Sequence, residues 1–182
     1  DDDGRGEAAA AAATWFHAGG DEVNAACFLS SPRIAAWMRA RNATPVATTG
    51  VRALLQYFHD REHSLLAPHA GTVVQYEGTL TAGVALDPRS TVVQTWLPGS
   101  TARVVKQGFR VISAEAAGLY LDCGFGGWIG PGKSWCAPYK SWFDAWSFDP
   151  VPANVTDPAE RARVVGAEAA LWGEMTDATN VD

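Results

Sequence analysis

Short apolar runs alternate with longer amphipathic stretches along this chain. The apolar runs are five residues long and bounded by Gly, Pro or polar residues, and those at residues 72–76, 91–95 and 110–114 are rich in Val, a pattern typical of β-strands. The longer stretches carry apolar residues on one helical face, as Ile34, Trp37 and Met38 do within residues 32–41. The predicted strands are residues 14–18, 72–76, 91–95, 110–114 and 164–168, and the predicted helices are residues 32–41, 49–66, 101–107 and 139–146. Strands that alternate with helices indicate a mostly parallel α/β sheet.

The composition is that of a folded domain and narrows the range of partners. Of the 182 residues, 47% are hydrophobic and 19% are charged, which is typical of globular proteins. The chain has 14 Lys and Arg against 20 Asp and Glu, for a net charge of -6. We expect no nucleic-acid partner, because such a surface needs clustered cations. We also expect no membrane partner, because no apolar run approaches the ~18 residues of a membrane span.

Two glycosylation sequons and three cysteines give information on whether the protein is secreted. The sequons begin at Asn42 and Asn154 and indicate secretion, although the first residues of the chain lack the charged and apolar regions of a signal peptide. The cysteines at positions 27, 123 and 136 form no C-x-x-C pattern. Their odd number leaves at least one thiol without a partner inside this chain.

One glycine-rich segment matches a phosphate-binding pattern. Residues 127–134 read GWIGPGKS, in which Lys133 would bind terminal phosphates and Ser134 would bind Mg²⁺. Such a loop follows directly on a strand and opens a helix. Here the nearest predicted strand ends about a dozen residues earlier, and Pro138 falls inside the required helix. The context favours a Gly/Pro turn with a solvated lysine.

A second segment matches a zinc-binding pattern. Residues 59–63 read HDREH, and on a helix His59 and His63 would share one face, with Glu62 beside them as a base. The neighbouring Asp60 and Arg61 are also charged, and no other segment supplies an evident third ligand. This pattern favours a solvated helix face, and we predict no metal site.

Two adjacent carboxylates, Asp21 and Glu22, follow directly on the first predicted strand and on a Gly19-Gly20 pair. In α/β proteins, ligands bind at the carboxyl ends of the strands. Paired carboxylates suit general acid and base work, since one can stay protonated while the other is ionised. The segment indicates a catalytic site, although by itself it also fits a turn with two solvated acids.

Four blocks in order resemble glycoside hydrolase family 20, the β-N-acetylhexosaminidases. They are residues 16–24 (FHAGGDEVN), 92–96 (VVQTW), 113–122 (SAEAAGLYLD) and 166–174 (GAEAALWGE). The resemblance implies an incomplete (β/α)8 TIM barrel, approximately strands 4 to 8, with the N-terminal strands and the C-terminal helix missing. The chain length fits this expectation, since a whole barrel takes about 250 residues.

The resemblance also implies a substrate-assisted retaining mechanism without a cofactor. Glu22 would act as general acid and base, Asp21 would orient the substrate's acetamido group, and Tyr120 would donate a hydrogen bond to its oxygen. The implied sugar-binding residues are Trp96 and Trp172 as walls of the acetamido pocket, and Asp122 and Glu174 as partners of the sugar hydroxyls. The substrates would be glycans or chitooligosaccharides that end in N-acetylglucosamine or N-acetylgalactosamine. The alternatives are an inactive carbohydrate-binding relative and a non-functional fragment.

The chain departs from the family pattern at one pocket wall. The family carries a third pocket tryptophan in a strand that reads W-x-E, and the matching residues 75–77 read QYE. Either Gln75 forms that wall, or Tyr76 replaces the tryptophan through a shift in register. No residues match the family's sugar-binding arginine or its upstream Asp and His.

The resemblance further implies a pairing of the cysteines. Cys27 matches a half-cystine whose partner lies upstream in the family, which leaves Cys123 and Cys136 to bridge the loop between them. The family and the sequons imply a secreted, lysosomal or vacuolar protein. Neither the preferred linkage nor the oligomeric state follows from the sequence.

Overall fold

The computed structural model describes residues 14–43, 50–126, 134–174 and 177–179. Strands and helices alternate through these ranges as the hydrophobic pattern predicts. The strands are β1 (Trp15–His17), β2 (Thr72–Tyr76), β3 (Thr91–Thr95), β4 (Arg110–Ser113) and β5 (Val164–Ala167). The helices are α1 (Ala25–Ser30), α2 (Pro32–Ala40), α3 (Gly50–Leu66), α4 (Gly78–Thr81), α5 (Ser100–Lys106), α6 (Ala116–Leu119), α7 (Trp142–Ser147) and α8 (Pro158–Arg161).

The chain forms two compact units, Asp1–Val92 and Val93–Asp182, whose boundary falls inside β3. In the first unit β1 and β2 pair in parallel. The start of β3 joins them, since the N–H of Val73 donates to the carbonyl of Ser90 over 2.9 Å. A small apolar core lies under α3, where Val51 and Leu55 are buried.

In the second unit β3 is followed by α5 and then by β4. The N–H of Ala114, just after β4, donates to the carbonyl of Thr95 at the end of β3 over 2.8 Å. β4 and β5 also pair in parallel, with a register shift between Val111 and Ile112. The strands are therefore neighbours in chain order, and the predicted α/β class with a parallel sheet is confirmed.

Local hydrogen bonds decide where the short helices begin. The predicted helix 139–146 begins instead at Trp142, because the Ser141 hydroxyl accepts from the N–H of Asp144 while the Asp144 carboxylate accepts from the N–H of Ser141. Asn24 and Ser31 cap α1 and α2 in a similar way through their side-chain oxygens. Among the described residues, no helix is both long and apolar enough to cross a membrane.

Candidate active site

Asp21 and Glu22 lie in the loop between β1 and α1 and are exposed. Glu22 has a φ of 49°, in the left-handed region that residues other than glycine rarely adopt. Such a backbone costs about 1–3 kcal/mol and persists where the surroundings impose it, often at active sites. Gly19 and Gly20 before it also have positive φ, 71° and 97°. The turn therefore holds Glu22 in a backbone conformation that residues with a side chain rarely adopt.

The end of β2 holds this turn in place. The N–H of Tyr76 donates to the carbonyl of Gly19 over 2.9 Å. A Cβ atom at Gly78 would lie 2.9 Å from the Cα of Asp21, so only glycine fits there without a shift. Both contacts lie at the carboxyl end of parallel strands, where α/β proteins bind ligands.

Gln75 and Tyr76 face opposite sides of β2, as successive strand residues do. Gln75 is fully buried, and its Nε2 lies 2.8 Å from His59 Nδ1 and 3.1 Å from Glu62 Oε2, both on α3. The Tyr76 ring lies 4.5 Å from the ring of His17, between centroids. Of the two candidates for the third pocket wall, Gln75 is therefore bound to α3, and Tyr76 stands beside the strand that leads into the Asp21 turn.

In the second unit, four aromatic rings form a group that we call the aromatic cluster: Trp96, Tyr120, Trp135 and Trp172. The Tyr120 ring centroid lies 6.0 Å from those of Trp135 and Trp172, and Trp135 lies 5.7 Å from Trp96. The contacts are edge-to-face, an arrangement favoured by aromatic quadrupoles. Three predicted residues are thus brought together, and Trp172 is 40% exposed.

Trp135 is not among the residues predicted from the sequence. It precedes Cys136, which forms a disulfide with Cys123, as the resemblance implied. Cys123 follows Tyr120 by three positions, so the disulfide carries Trp135 to the Tyr120 ring. The predicted bridge was the signal from which this contact could have been found. Cys27 is free and exposed.

Backbone pairing aligns Tyr120 with the segment after β5. The N–H of Leu121 donates to the carbonyl of Ala170, and the N–H of Ala170 donates to the carbonyl of Leu119, each over 2.8 Å. This short bridge extends the direction of the parallel β4–β5 pair. It places Trp172, two residues past Ala170, at the Tyr120 ring.

Asp122 is fully buried next to this cluster. Burial raises the pKa of its carboxyl group, and the nearby negative charge of Glu174 adds to the rise, while the backbone N–H of Trp172 opposes it. Among the described residues, no side chain donates a hydrogen bond to its two carboxylate oxygens. Glu174 itself is exposed. This pair of acids can accept hydrogen bonds from a polar ligand.

Glu115 is a second residue of this region that was not predicted from the sequence. Its buried carboxylate accepts from the N–H of Gly99 over 2.7 Å and from the N–H of Thr101 over 2.9 Å, at the start of α5. The N–H of Ala116 donates to the carbonyl of Trp96 over 2.9 Å. These bonds fix the loop that carries Trp96 out of β3.

The two competing motifs have different outcomes. Residues 127–133 of the phosphate-binding pattern lie outside the described residues, and Ser134 is buried with its hydroxyl accepting from the N–H of Gly124. The prediction of a solvated face for residues 59–63 is wrong at His59, which is only 3% exposed. The imidazole contacts Gln75 of β2 and lies against Gly20.

A metal ion has few candidate ligands in the described part of the chain. The group of potential ligands that lie close together there is Asp122, Cys123 and Cys136. Both sulfurs belong to the disulfide, so neither is available as a thiolate.

The chain is similar in sequence to known glycosidases. The profile of "Glycosyl hydrolase family 20, catalytic domain" matches residues 7–182. Beta-hexosaminidase 1 of Coccidioides posadasii is 31% identical over 192 residues, covering 90% of this chain and 31% of the relative. The chitooligosaccharidolytic beta-N-acetylglucosaminidase of Ostrinia furnacalis is 32% identical over 177 residues, covering 92% of this chain and 29% of the relative. The chain thus spans about three tenths of the length of these relatives.

A solved structure gives a similar result. The GH20 exo beta-N-acetylglucosaminidase of Vibrio harveyi, in complex with N-acetylglucosamine, superposes with a TM-score of 0.67 at 26% identity. The match covers 90% of this chain and 25% of that one.

Proposed function

The chain belongs to glycosyl hydrolase family 20. On that premise we propose that it is the catalytic part of a β-N-acetylhexosaminidase, which removes terminal N-acetyl-hexosamine from glycans or chitooligosaccharides. The observation that carries the proposal is the Asp21–Glu22 turn at the carboxyl end of β1, with its left-handed Glu22. A carboxylate held against its backbone preference, directly after a second carboxylate, fits a positioned acid and its partner.

The proposed mechanism uses the substrate's own acetamido oxygen as nucleophile. That oxygen bonds to the anomeric carbon as the glycosidic C–O bond breaks, and Glu22 gives a proton to the leaving oxygen. Asp21 accepts a hydrogen bond from the acetamido N–H and stabilises the positive charge of the resulting oxazolinium ion. Water then attacks the anomeric carbon, Glu22 takes its proton, and the acetamido group is restored with retained configuration. Because both reacting groups belong to one substrate, the attack is intramolecular and needs no cofactor.

The aromatic cluster would bind the sugar. In this proposal Trp96 and Trp172 enclose the acetamido methyl group, and the Tyr120 hydroxyl donates to the acetamido oxygen. Asp122 and Glu174 accept hydrogen bonds from sugar hydroxyls, which suits two neighbouring acids of which one is buried. The Ostrinia furnacalis relative, whose name describes action on chitooligosaccharides, supports a β-linked amino sugar as substrate.

We further propose that β1 to β5 correspond to strands 4 to 8 of a (β/α)8 barrel. Support comes from the parallel pairs that follow chain order and from relatives of which the chain matches about three tenths. A disulfide and the sequons at Asn42 and Asn154 support a secretory, lysosomal or vacuolar route for the protein.

The test is Glu22→Gln in the full-length protein. The amide keeps the shape of the side chain but can neither give nor take the proton, so release of nitrophenol from its N-acetylglucosaminide should fall by about 10²–10⁴-fold. Glu160→Gln on α8 is the matched control and should retain wild-type turnover.

Near-wild-type turnover in Glu22→Gln would overturn the assignment of the acid. A wild-type protein that binds an oxazoline-mimicking inhibitor without hydrolysing the substrate would instead be an inactive carbohydrate-binding relative.

A further inference from the structure

Three polar side chains of α3 and β2 contact one another, and we call them the His59 cluster: the buried His59 and Gln75 and the partly buried Glu62. His59 Nδ1 lies 3.0 Å from Glu62 Oε2 and 2.8 Å from Gln75 Nε2, which also donates to Glu62 Oε2 over 3.1 Å. His59 is 3% exposed and Gln75 is fully buried. Burying polar groups costs free energy that only mutual hydrogen bonds offset, and the same bonds fix the orientation of each member. The imidazole is therefore held in one position.

That imidazole lies directly against the candidate catalytic turn. A Cβ atom at Gly20 would lie 3.2 Å from His59 Cε1 and would collide with the Thr79 hydroxyl oxygen. The Thr79 hydroxyl in turn donates to the carbonyl of Gly20 over 3.1 Å. Gly20 thus packs against His59 of α3 and Thr79 of α4, and these three residues belong to the first unit.

We propose that the His59 cluster, together with Thr79, positions Glu22. A left-handed Glu22 stays in place only if the residues before it cannot relax, and Gly20 is the residue that His59 and Thr79 hold. His59 itself does not touch the substrate in this role; it is a positioning residue that acts through the Gly20 turn. The catalytic consequence rests on the function proposed above, whereas the effect on the turn does not.

The first experiment compares His59→Ala with Asp60→Ala in the full-length protein. Removing the imidazole frees the space next to Gly20, and a displacement of about 1 Å at a reacting group can cost ~10²-fold in rate. We expect kcat of His59→Ala to fall by about 10- to 100-fold while KM stays within about twofold, because Glu22 acts in the chemical step. Asp60 lies next to His59 on α3 but is exposed, and Asp60→Ala should leave both constants unchanged.

A second pair of variants covers the case in which His59→Ala does not fold. Thr79→Val keeps the shape of the side chain and removes the donor to Gly20, whereas Thr79→Ser keeps the hydroxyl. We expect kcat to fall about 3- to 10-fold in Thr79→Val, in line with the loss of one hydrogen bond, and to be restored in Thr79→Ser. Wild-type kcat in both His59→Ala and Thr79→Val would overturn the proposal.

Hydrogen–deuterium exchange separates this proposal from the proposed function. The amides of residues 19–22 should exchange faster in His59→Ala than in wild type and at the wild-type rate in Asp60→Ala. This readout needs no activity, so an inactive wild-type protein would refute the function while the turn could still be tested. Unchanged exchange in a folded His59→Ala protein would refute the positioning role.

Discussion

Asp122 combines an acidic side chain with a fully buried position, and this has a consequence for stability. Burial and the charge of Glu174 raise the pKa of its carboxyl group. The folded protein therefore holds the proton more tightly than the unfolded chain does. The contribution of Asp122 to the free energy of unfolding is therefore largest below the ordinary carboxyl pKa. It falls as the pH rises through the raised pKa.

Asp122→Asn should accordingly stabilise the protein in a pH-dependent way. The amide has no charge to bury, so the melting temperature of the variant relative to wild type should be higher at pH 7 than at pH 3. Thermal unfolding followed by circular dichroism at both pH values measures this difference. The exposed Asp149→Asn serves as control and should show no such dependence. If the melting temperature of the wild type rises relative to that of Asp122→Asn between pH 3 and pH 7, the raised pKa of Asp122 is contradicted.

At single residues the sequence could single out candidate side chains but not their surroundings. Asp21 and Glu22 could be singled out because two acids follow a strand and a Gly pair, but the left-handed φ of Glu22 could not be predicted from them. The burial of His59 could not be predicted, because its immediate neighbours Asp60 and Arg61 are charged. Its partner Gln75 lies 16 positions away, and only the fold brings the two together.

At the level of elements, periodicity decided what could be predicted. β2 and β3 have the predicted bounds, and α2 and α3 differ from the prediction by one residue at an end, since five or more patterned residues fix them. The short helices α1, α4, α6 and α8 were not predicted. They contain four to six residues, fewer than two turns, so no apolar stripe can be recognised in them. Their bounds depend on capping and turn hydrogen bonds.

The loop closed by Cys123 and Cys136 should depend on its disulfide. Replacing both cysteines by Ser should lower the free energy of unfolding by about 2–4 kcal/mol, because the unfolded chain regains the freedom of the loop. The same change should loosen Trp135 from Tyr120 and alter the tryptophan fluorescence of the folded protein. Urea unfolding measures the first effect. Cys27→Ser, at the free and exposed cysteine, is the control and should change neither.

At the level of the whole molecule, the parallel α/β class followed from the alternating pattern, but the proposed barrel did not. A doubly wound sheet and a barrel share the same alternation of strands and helices, and only the order of the four family blocks favoured the barrel. The boundary between the two compact units was not predictable either. It lies inside β3, a continuous Val-rich strand with none of the Pro, Gly or Ser that mark linkers.

The proposed secretory route makes a prediction for the intact protein. Asn154 is exposed and heads a sequon, so a eukaryotic host that secretes the protein should attach a glycan there. Enzymatic removal of N-glycans should then increase the electrophoretic mobility of the wild-type protein. In Asn154→Gln this increase in mobility should be smaller by the contribution of one glycan. A secreted wild-type protein whose mobility is identical before and after the treatment would contradict glycosylation at this site.

The glycines around the candidate catalytic turn differ in what they permit for protein engineering. A side chain at Gly78 would meet the backbone of Asp21, and one at Gly20 would meet Thr79 and His59. Neither position therefore accepts a side chain without a shift of the turn or of its neighbours. Gly19 has open space where a Cβ would lie, and its φ of 71° is one that Asn and Asp tolerate. Libraries that aim to alter the surroundings of Glu22 should therefore diversify position 19 and keep positions 20 and 78 fixed. Side chains can thus be added to the turn at its open face but not at the face that packs against Thr79 and His59.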